Sequence, residues 1–404
     1  MIILGADPAT SKPTHGRTAT EFENTSLTLV IMHVLGLILG VTLPLLVFRE
    51  TFEVMLLPRR VRRKLRLVRY LFSSTWFVWS WVADRMKAGP ARDALLSLFG
   101  PLSLLMLLGS WTLGLVVGFG FLQWSLSTGA SAAPTLFDNL FLSADTFFTL
   151  GTGSLDSVSA IRKAIAVIEA GSGLAFLALV IGYLPVLYQL FSRRETYVIM
   201  LDARAGSPPS VTVLLSRHAH TESLPALLQL LHEWEQWSAE LIESHLSYPM
   251  LSYYRSQHDN QSWLAALAAI MDTCALIMVG IKDFPTLQAR MTFSTSRLAV
   301  VELSKVFNLK PQVFADTRLT SVDYGRMRIE LRAADLQLVN DDGAEQRLHD
   351  FRATYEPFLN GLADYLLLSL PGWLPPEELL DNWQNSPRGR SAKRLVEAAP
   401  AKQE

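Results

Sequence analysis

Three apolar, mostly aliphatic runs constrain this chain most: Leu27 to Phe48, Leu102 to Leu126, and Ile165 to Leu190. A bilayer's hydrocarbon core is about 30 Å thick and a helix rises about 1.5 Å per residue, so about 20 apolar residues cross it. The first run has 22 residues, with His33 as its one titratable group. It is too long for a signal-peptide core and no basic segment precedes it, so it reads as a retained membrane helix, 27–48, bent near Pro44. Half of the 404 residues are hydrophobic, 18% are charged, and mean hydropathy is +0.24. That is too apolar for an average soluble protein and too polar for one wholly in lipid, so a membrane part and a soluble part are expected. The net charge of −1 gives no case for nucleic-acid binding. The single cysteine, Cys274, rules out an internal disulfide and lies in an apolar run, as an inert core thiol would.

Charge sets the expected sidedness. Arg59, Arg60, Arg62, Arg63, Lys64, Arg66 and Arg69 put seven basic residues into eleven, and Arg85, Lys87 and Arg92 follow. The positive-inside rule then makes the segment 49–93 cytoplasmic and leaves 1–26 as a flexible external tail. The cluster serves as a topology signal and also suits anionic lipid headgroups. Tyr70 to Val82, with Trp76, Trp79 and Trp81, is too short to span and reads as an aromatic helix in the inner interface. From Gln123 to Ile161 there is no Lys or Arg, whereas Asp138, Asp145 and Asp156 are acidic, as an external cation-attracting mouth would be. Arg162 and Lys163 run against that rule at the start of the third run. No span carries arginine at every third position, so voltage sensing is not expected.

Between the second and third runs, Asp138 to Phe148 is a short apolar helix-former, followed by Thr149-Leu150-Gly151-Thr152-Gly153-Ser154. Glycine at alternate positions opens backbone conformations closed to other residues, and a ring of backbone carbonyls can replace the hydration shell of a cation. Helix, short helix, glycine-bearing segment, helix: this order resembles the potassium-channel superfamily of the prokaryotic two-transmembrane pore-loop type. The filter of that family reads Thr-Val-Gly-Tyr-Gly, usually followed by Asp. Thr149, Gly151 and Gly153 match; Leu150 stands in the Val place; Thr152 and Ser154 depart. The resemblance covers roughly residues 100 to 192. It implies a mainly α membrane pore-loop fold over 94–192, with outer helix 94–126, pore helix 136–148, filter 149–153 and inner helix 161–191. It further implies a homotetramer in the cell membrane that passes K+ as permeant ion, with no other cofactor. The carbonyls of Thr149, Leu150, Gly151 and Thr152 would be its ligands, with Gly153 completing the motif. Thr152 in place of the bracing aromatic leaves a weakly selective cation pore as the alternative.

Four positions around this motif carry their own expectations. Asp145 lies where several such channels hold a buried acid behind the filter; it would support the filter by bonding its amides or Ser154, with burial raising its pKa. Gly173 is twenty residues past Gly153, and with Gly171 it is either the hinge of a gate or a close-packing site. Glu169 is the one acid in the third run, and an intramembrane acid is functional by default.

After a linker at 197–215, leucines and tryptophans recur at helical spacing from Leu224 to Leu246, and further helices are expected at 262–281, 283–306, 319–339 and 344–370. Together these make an α-helical cytoplasmic domain over 197–386, followed by a disordered tail, 387–404. Trp263 to Ile281 has one charge, Asp272, in 19 residues and is long enough to span, but its cap Ser262 and its amphipathic neighbours favour a buried core helix. No glycine-rich dinucleotide fingerprint follows a strand, no nucleophile–base pair indicates an enzyme, and His218 with His220 lacks the further ligands of a metal site. The ligand of this domain is not legible. A non-conducting membrane sensor, with the helical domain as its active part, is the reading from a different class.

Overall fold

The apolar runs form long helices. The computed structural model describes residues 19–56, 67–127, 134–153, 159–219, 223–256, 261–313, 318–339 and 343–376. In chain order the helices are α1 (Ala19–Thr51), which ends in a π turn at Phe52–Leu56, α2 (Leu67–Asp84), α3 (Pro90–Ser125), α4 (Leu136–Phe147) and α5 (Ala160–Ala205). They continue as α6 (Val211–Arg217), α7 (Leu224–Ser247), α8 (Trp263–Gly280), α9 (Leu287–Phe307), α10 (Ser321–Ala333), α11 (Ala344–Arg352) and α12 (Glu356–Leu366). Among the described residues there is no strand, only a bridge between Ile281 and Leu338. Among the described residues four helical segments are long and apolar enough to cross a membrane: Thr28–Met55, Pro90–Ser125, Ala160–Ala205 and Trp263–Gly280. The chain is a mainly α protein with the helices of a membrane protein.

Two compact units divide the chain. The first takes Met1–Leu56 and Leu108–Ile181, the second Leu57–Leu107 and Gly182–Glu404, so α3 and α5 contribute residues to both. In the first unit, small residues let helices touch, as they do where lipid gives no hydrophobic drive. A Cβ on Gly118 of α3 would lie 2.5 Å from the Pro44 ring of α1, and one on Gly40 of α1 would lie 2.6 Å from the Leu122 nitrogen of α3. His33 and Trp124 stack across the same pair of helices with ring centroids 4.4 Å apart.

The second unit is built around α8, sixteen of whose residues are buried. It is capped by Ser262, whose hydroxyl accepts from the Ala265 N–H at 3.0 Å. Asp272, 1% exposed, receives both arms of Arg318 at 2.7 and 3.1 Å and the Tyr355 hydroxyl at 2.6 Å. Burial works against the Arg318 charge, but Asp272 and Glu356 outweigh it and hold the guanidinium above the ordinary arginine range. A helix enclosed by protein on all sides needs no lipid, and this is the buried-helix reading of 263–281.

Several boundaries differ from the sequence-based expectation. Helix α1 begins at Ala19, inside the segment read as tail, while residues 1–18 and 377–404 lie outside the described residues. Helix α5 does not stop at Phe191 but runs to Ala205, because Val198 and Leu201 continue its apolar face into the second unit's core. The helix passes through the charges at 193–195 without a break. The linker at 197–215 is accordingly helical up to Ala205 and again from Val211. The helix expected over 344–370 is two, because Pro357 has no N–H to continue α11 and sits in the first turn of α12. Helix α2 does not lie flat in an interface along its whole face. Trp76 is buried against Phe99 (4.8 Å) and Tyr253 (5.0 Å) and donates its indole N–H to the Tyr365 carbonyl at 2.9 Å, whereas Phe77, Val78 and Trp81 are exposed. Of the basic cluster, Arg69 is exposed at the start of α2; Arg59, Arg60, Arg62, Arg63, Lys64 and Arg66 lie outside the described residues.

Candidate functional site

Helix α4 is twelve residues long, about 18 Å at 1.5 Å per residue, and too short to cross a bilayer. Its start is set by a capping box. The Thr135 hydroxyl accepts from the Asp138 N–H at 3.2 Å, and the Asp138 carboxylate accepts from the Thr135 N–H at 2.8 Å. The Thr135 hydroxyl also donates to the Asp138 carboxylate at 2.7 Å, and that bond first, with the Thr135 N–H next, holds Asp138 below the ordinary carboxylate range. Its end is a tight reversal. Thr149 turns into the left-handed region at φ +54°, so that its N–H reaches the Thr146 carbonyl at 3.1 Å and the Leu150 N–H reaches Asp145 O at 2.9 Å. Gly151 follows at φ +73°, where an L side chain is disfavoured. Residues 148–152 are all exposed, Leu150 by 64%.

Asp145 reaches back over this segment. Its Oδ1 accepts from the Thr152 N–H at 2.9 Å and from the Thr152 hydroxyl, and its Oδ2 accepts from the Gly153 N–H at 3.2 Å. The expectation that burial would raise its pKa is reversed. The Thr152 hydroxyl leads the opposing effects, backed by backbone N–H groups, and together they hold the carboxyl below its ordinary value. Thr152, read from sequence as lost packing, is here the principal partner of the acid. Ser154, the other partner proposed for it, lies outside the described residues, as does Asp156.

Three further contacts fix α4 between α3 and α5. Gly173 abuts its end, where a Cβ would sit 2.2 Å from the Phe147 carbonyl oxygen, while Gly171 has open space on its Cβ side. Close packing therefore accounts for Gly173, and α5 is helical through both glycines. Ser143, fully buried, touches both the Val116 carbonyl of α3 (2.7 Å) and the Glu169 carboxyl of α5. At the other end of α4, Arg162 is 7% exposed and donates to Gln123 Oε1 at 3.0 Å and Asn139 Oδ1 at 2.6 Å. Gln123 returns a bond to the Arg162 carbonyl at 3.2 Å. Arg162, an anomaly in the charge pattern, is a structural residue that joins α3, α4 and α5.

No family model, no curated protein and no solved structure matches the chain. Of the residues singled out from sequence, Asp145, Thr152 and Gly153 are brought together, and Gly173 and Glu169 are each placed against α4. Gln123, Asn139 and Ser143 were missed. A buried amide or hydroxyl in an apolar run is their only sequence signal, and it does not say which helix they face. Among the described residues no group of three His, Cys, Asp or Glu side chains could hold a metal ion.

Proposed function

We propose that the chain forms a homotetrameric cation channel in a cell membrane, conducting K+ passively through backbone carbonyls of Thr149, Leu150, Gly151 and Thr152. One observation carries the reading: a helix too short to cross lies between two long enough to do so, and ends in an exposed, glycine-bearing segment whose amides are tied back by Asp145. Irregular backbone at membrane depth is tolerated only where it is buried in protein or lines water, and four copies around an axis would supply both. The exposed Phe148 and Leu150 are apolar surface that partner copies would cover. On this reading the basic segment 49–93 and the helical unit face the cytoplasm, and the helical unit assembles or gates the pore.

The Thr152–Asp145 bond favours a second reading, a pore of weak selectivity. It holds the segment by a hydroxyl in place of the aromatic brace that the resemblance implies. The test is the reversal potential of the purified, reconstituted protein with potassium on one side and sodium on the other. A value near the potassium equilibrium potential supports the selective channel, and a value near zero with unitary currents supports the weakly selective one. Absence of current from protein that is tetrameric by mass, together with unchanged function in the cell when Gly151 is replaced by a bulky residue, would favour the membrane sensor.

A further inference from the structure

Ser143 sits at the meeting of three helices, and the hydrogens there can be counted. Its Oγ lies 2.7 Å from the Val116 carbonyl oxygen and within hydrogen-bond distance of Glu169 Oε1. A serine hydroxyl has one hydrogen, and a backbone carbonyl has none to give. If both contacts are hydrogen bonds, a second hydrogen is needed, and the carboxyl of Glu169 is the one group there that can carry it.

The surroundings agree. Glu169 is 0% exposed, and its other oxygen, Oε2, has no hydrogen-bond partner among the described residues. A carboxylate anion so placed would be a buried charge without compensation, whereas the neutral acid leaves only one weak acceptor bare. The charged groups of the packed elements are committed elsewhere or distant in sequence. On α4, Asp138 bonds Thr135 and Asp145 bonds Thr152 and Gly153; on α5, Arg162 bonds Gln123 and Asn139, with Lys163 beside it in the first turn. The stretch of α3 from Leu108 to Ser125 has no ionisable side chain.

We infer that Glu169 is a neutral carboxylic acid whose O–H donates to Ser143 Oγ, while the Ser143 O–H donates to the Val116 carbonyl. A single relay of two hydrogens then fastens α5 to α4 and α4 to α3. Glu169 is a positioning residue. It holds α5 four residues before Gly173, where that helix meets the end of α4, and so sets the base from which residues 149–153 extend. The inference goes beyond the channel reading and does not depend on conduction.

The test is an infrared spectrum of the full-length protein in bilayers at neutral pH, with 13C-labelled glutamate. A protonated-acid carbonyl band that disappears in Glu169→Gln is expected, and that band should shift in Ser143→Ala, which removes the acceptor. Thermal unfolding supplies the second measurement. Glu169→Gln, whose amide can still donate to Ser143, should melt close to wild type, and Glu169→Ala should melt clearly lower. A spectrum with only carboxylate bands for Glu169 would overturn the inference, as would an acid band indifferent to Ser143→Ala. Equal destabilisation by Gln and Ala would do the same. None of these readouts measures ion flow, so failure of the relay and failure of the channel are told apart.

Discussion

At the scale of single residues, the bond between Asp145 and Thr152 makes a definite prediction. Side chains that share one interaction do not contribute independently, so Asp145→Asn, Thr152→Val and the double variant should lower the melting temperature by similar amounts, not by the sum. A double variant as damaging as the two singles combined would separate the residues. His245 offers a second test. It is fully buried on α7, 3.3 Å from the Arg194 guanidinium, and burial first, with Arg194 next, pushes its pKa well below 6.5. A folded-state pKa below the unfolded one means that the unfolded chain binds the proton more readily. Stability is thus complete above about pH 6.5 and lost as pH falls from there toward the folded-state value. Melting curves between pH 5 and 8 should show this slope, and His245→Gln should flatten it. Bonds from Asp145 to the amides of 149–153 are expected from the sequence, but the Thr152 hydroxyl as its partner and the pairing of His245 with Arg194 are not. In the sequence Thr152 reads only as a missing aromatic and His245 carries no signal, because a linear pattern gives a face and not the group opposite.

Elements were easier to read than their ends. Apolar runs and helical spacing located every long helix, since burial or lipid must cover such faces and a helix is how a chain does so. What the pattern could not supply was continuity. Helix α5 passes through Arg193 and Arg194 because the Arg194 guanidinium is satisfied by the Leu251 and Tyr254 carbonyls at 2.8 and 2.7 Å and by Glu195. Charges so satisfied do not end a helix. Two glycines only two residues apart on the same helix should behave oppositely. Gly173→Ala drives a methyl into the backbone of α4, and overpacking of this kind costs about 1–3 kcal/mol. Gly171→Ala meets open space and should be neutral or slightly stabilising. Thermal unfolding of the two variants checks the contrast. In the second unit, Asp272→Asn would remove the more buried of the two carboxylates that hold Arg318 and leave Glu356 at 2.8 Å, so the loss should fall below the ~3–5 kcal/mol of a fully broken buried pair. The chemical-denaturation midpoint of that unit should fall accordingly.

The whole molecule is two units that share two helices; α4 and residues 149–153 lie in the first, whereas the outer and inner helices that flank them each run into the second. The sequence suggests parts that follow one another along the chain, whereas the two units are made of interleaved segments. Leu57–Leu107 precedes most of the first unit in sequence and yet belongs to the second. The reason is Trp76 with Phe99, aromatic residues whose partners lie far along the chain, a contact that no local pattern encodes. On the tetramer reading, native mass spectrometry should give about four times 45.0 kDa. Monomer alone, under conditions that keep the fold, would count against it.

The placement of Trp76 also sets a clock. A ribosome adds about 5–20 residues per second. After Phe99 has been made, 266 more residues must follow before Tyr365 exists to accept the Trp76 indole N–H. For roughly 13–50 s of synthesis at that rate the Trp76 indole N–H is without its native acceptor. In that interval Trp76 can pack only on partners already made, Phe99 first and Tyr253 later, so this part of the second unit's core is completed last.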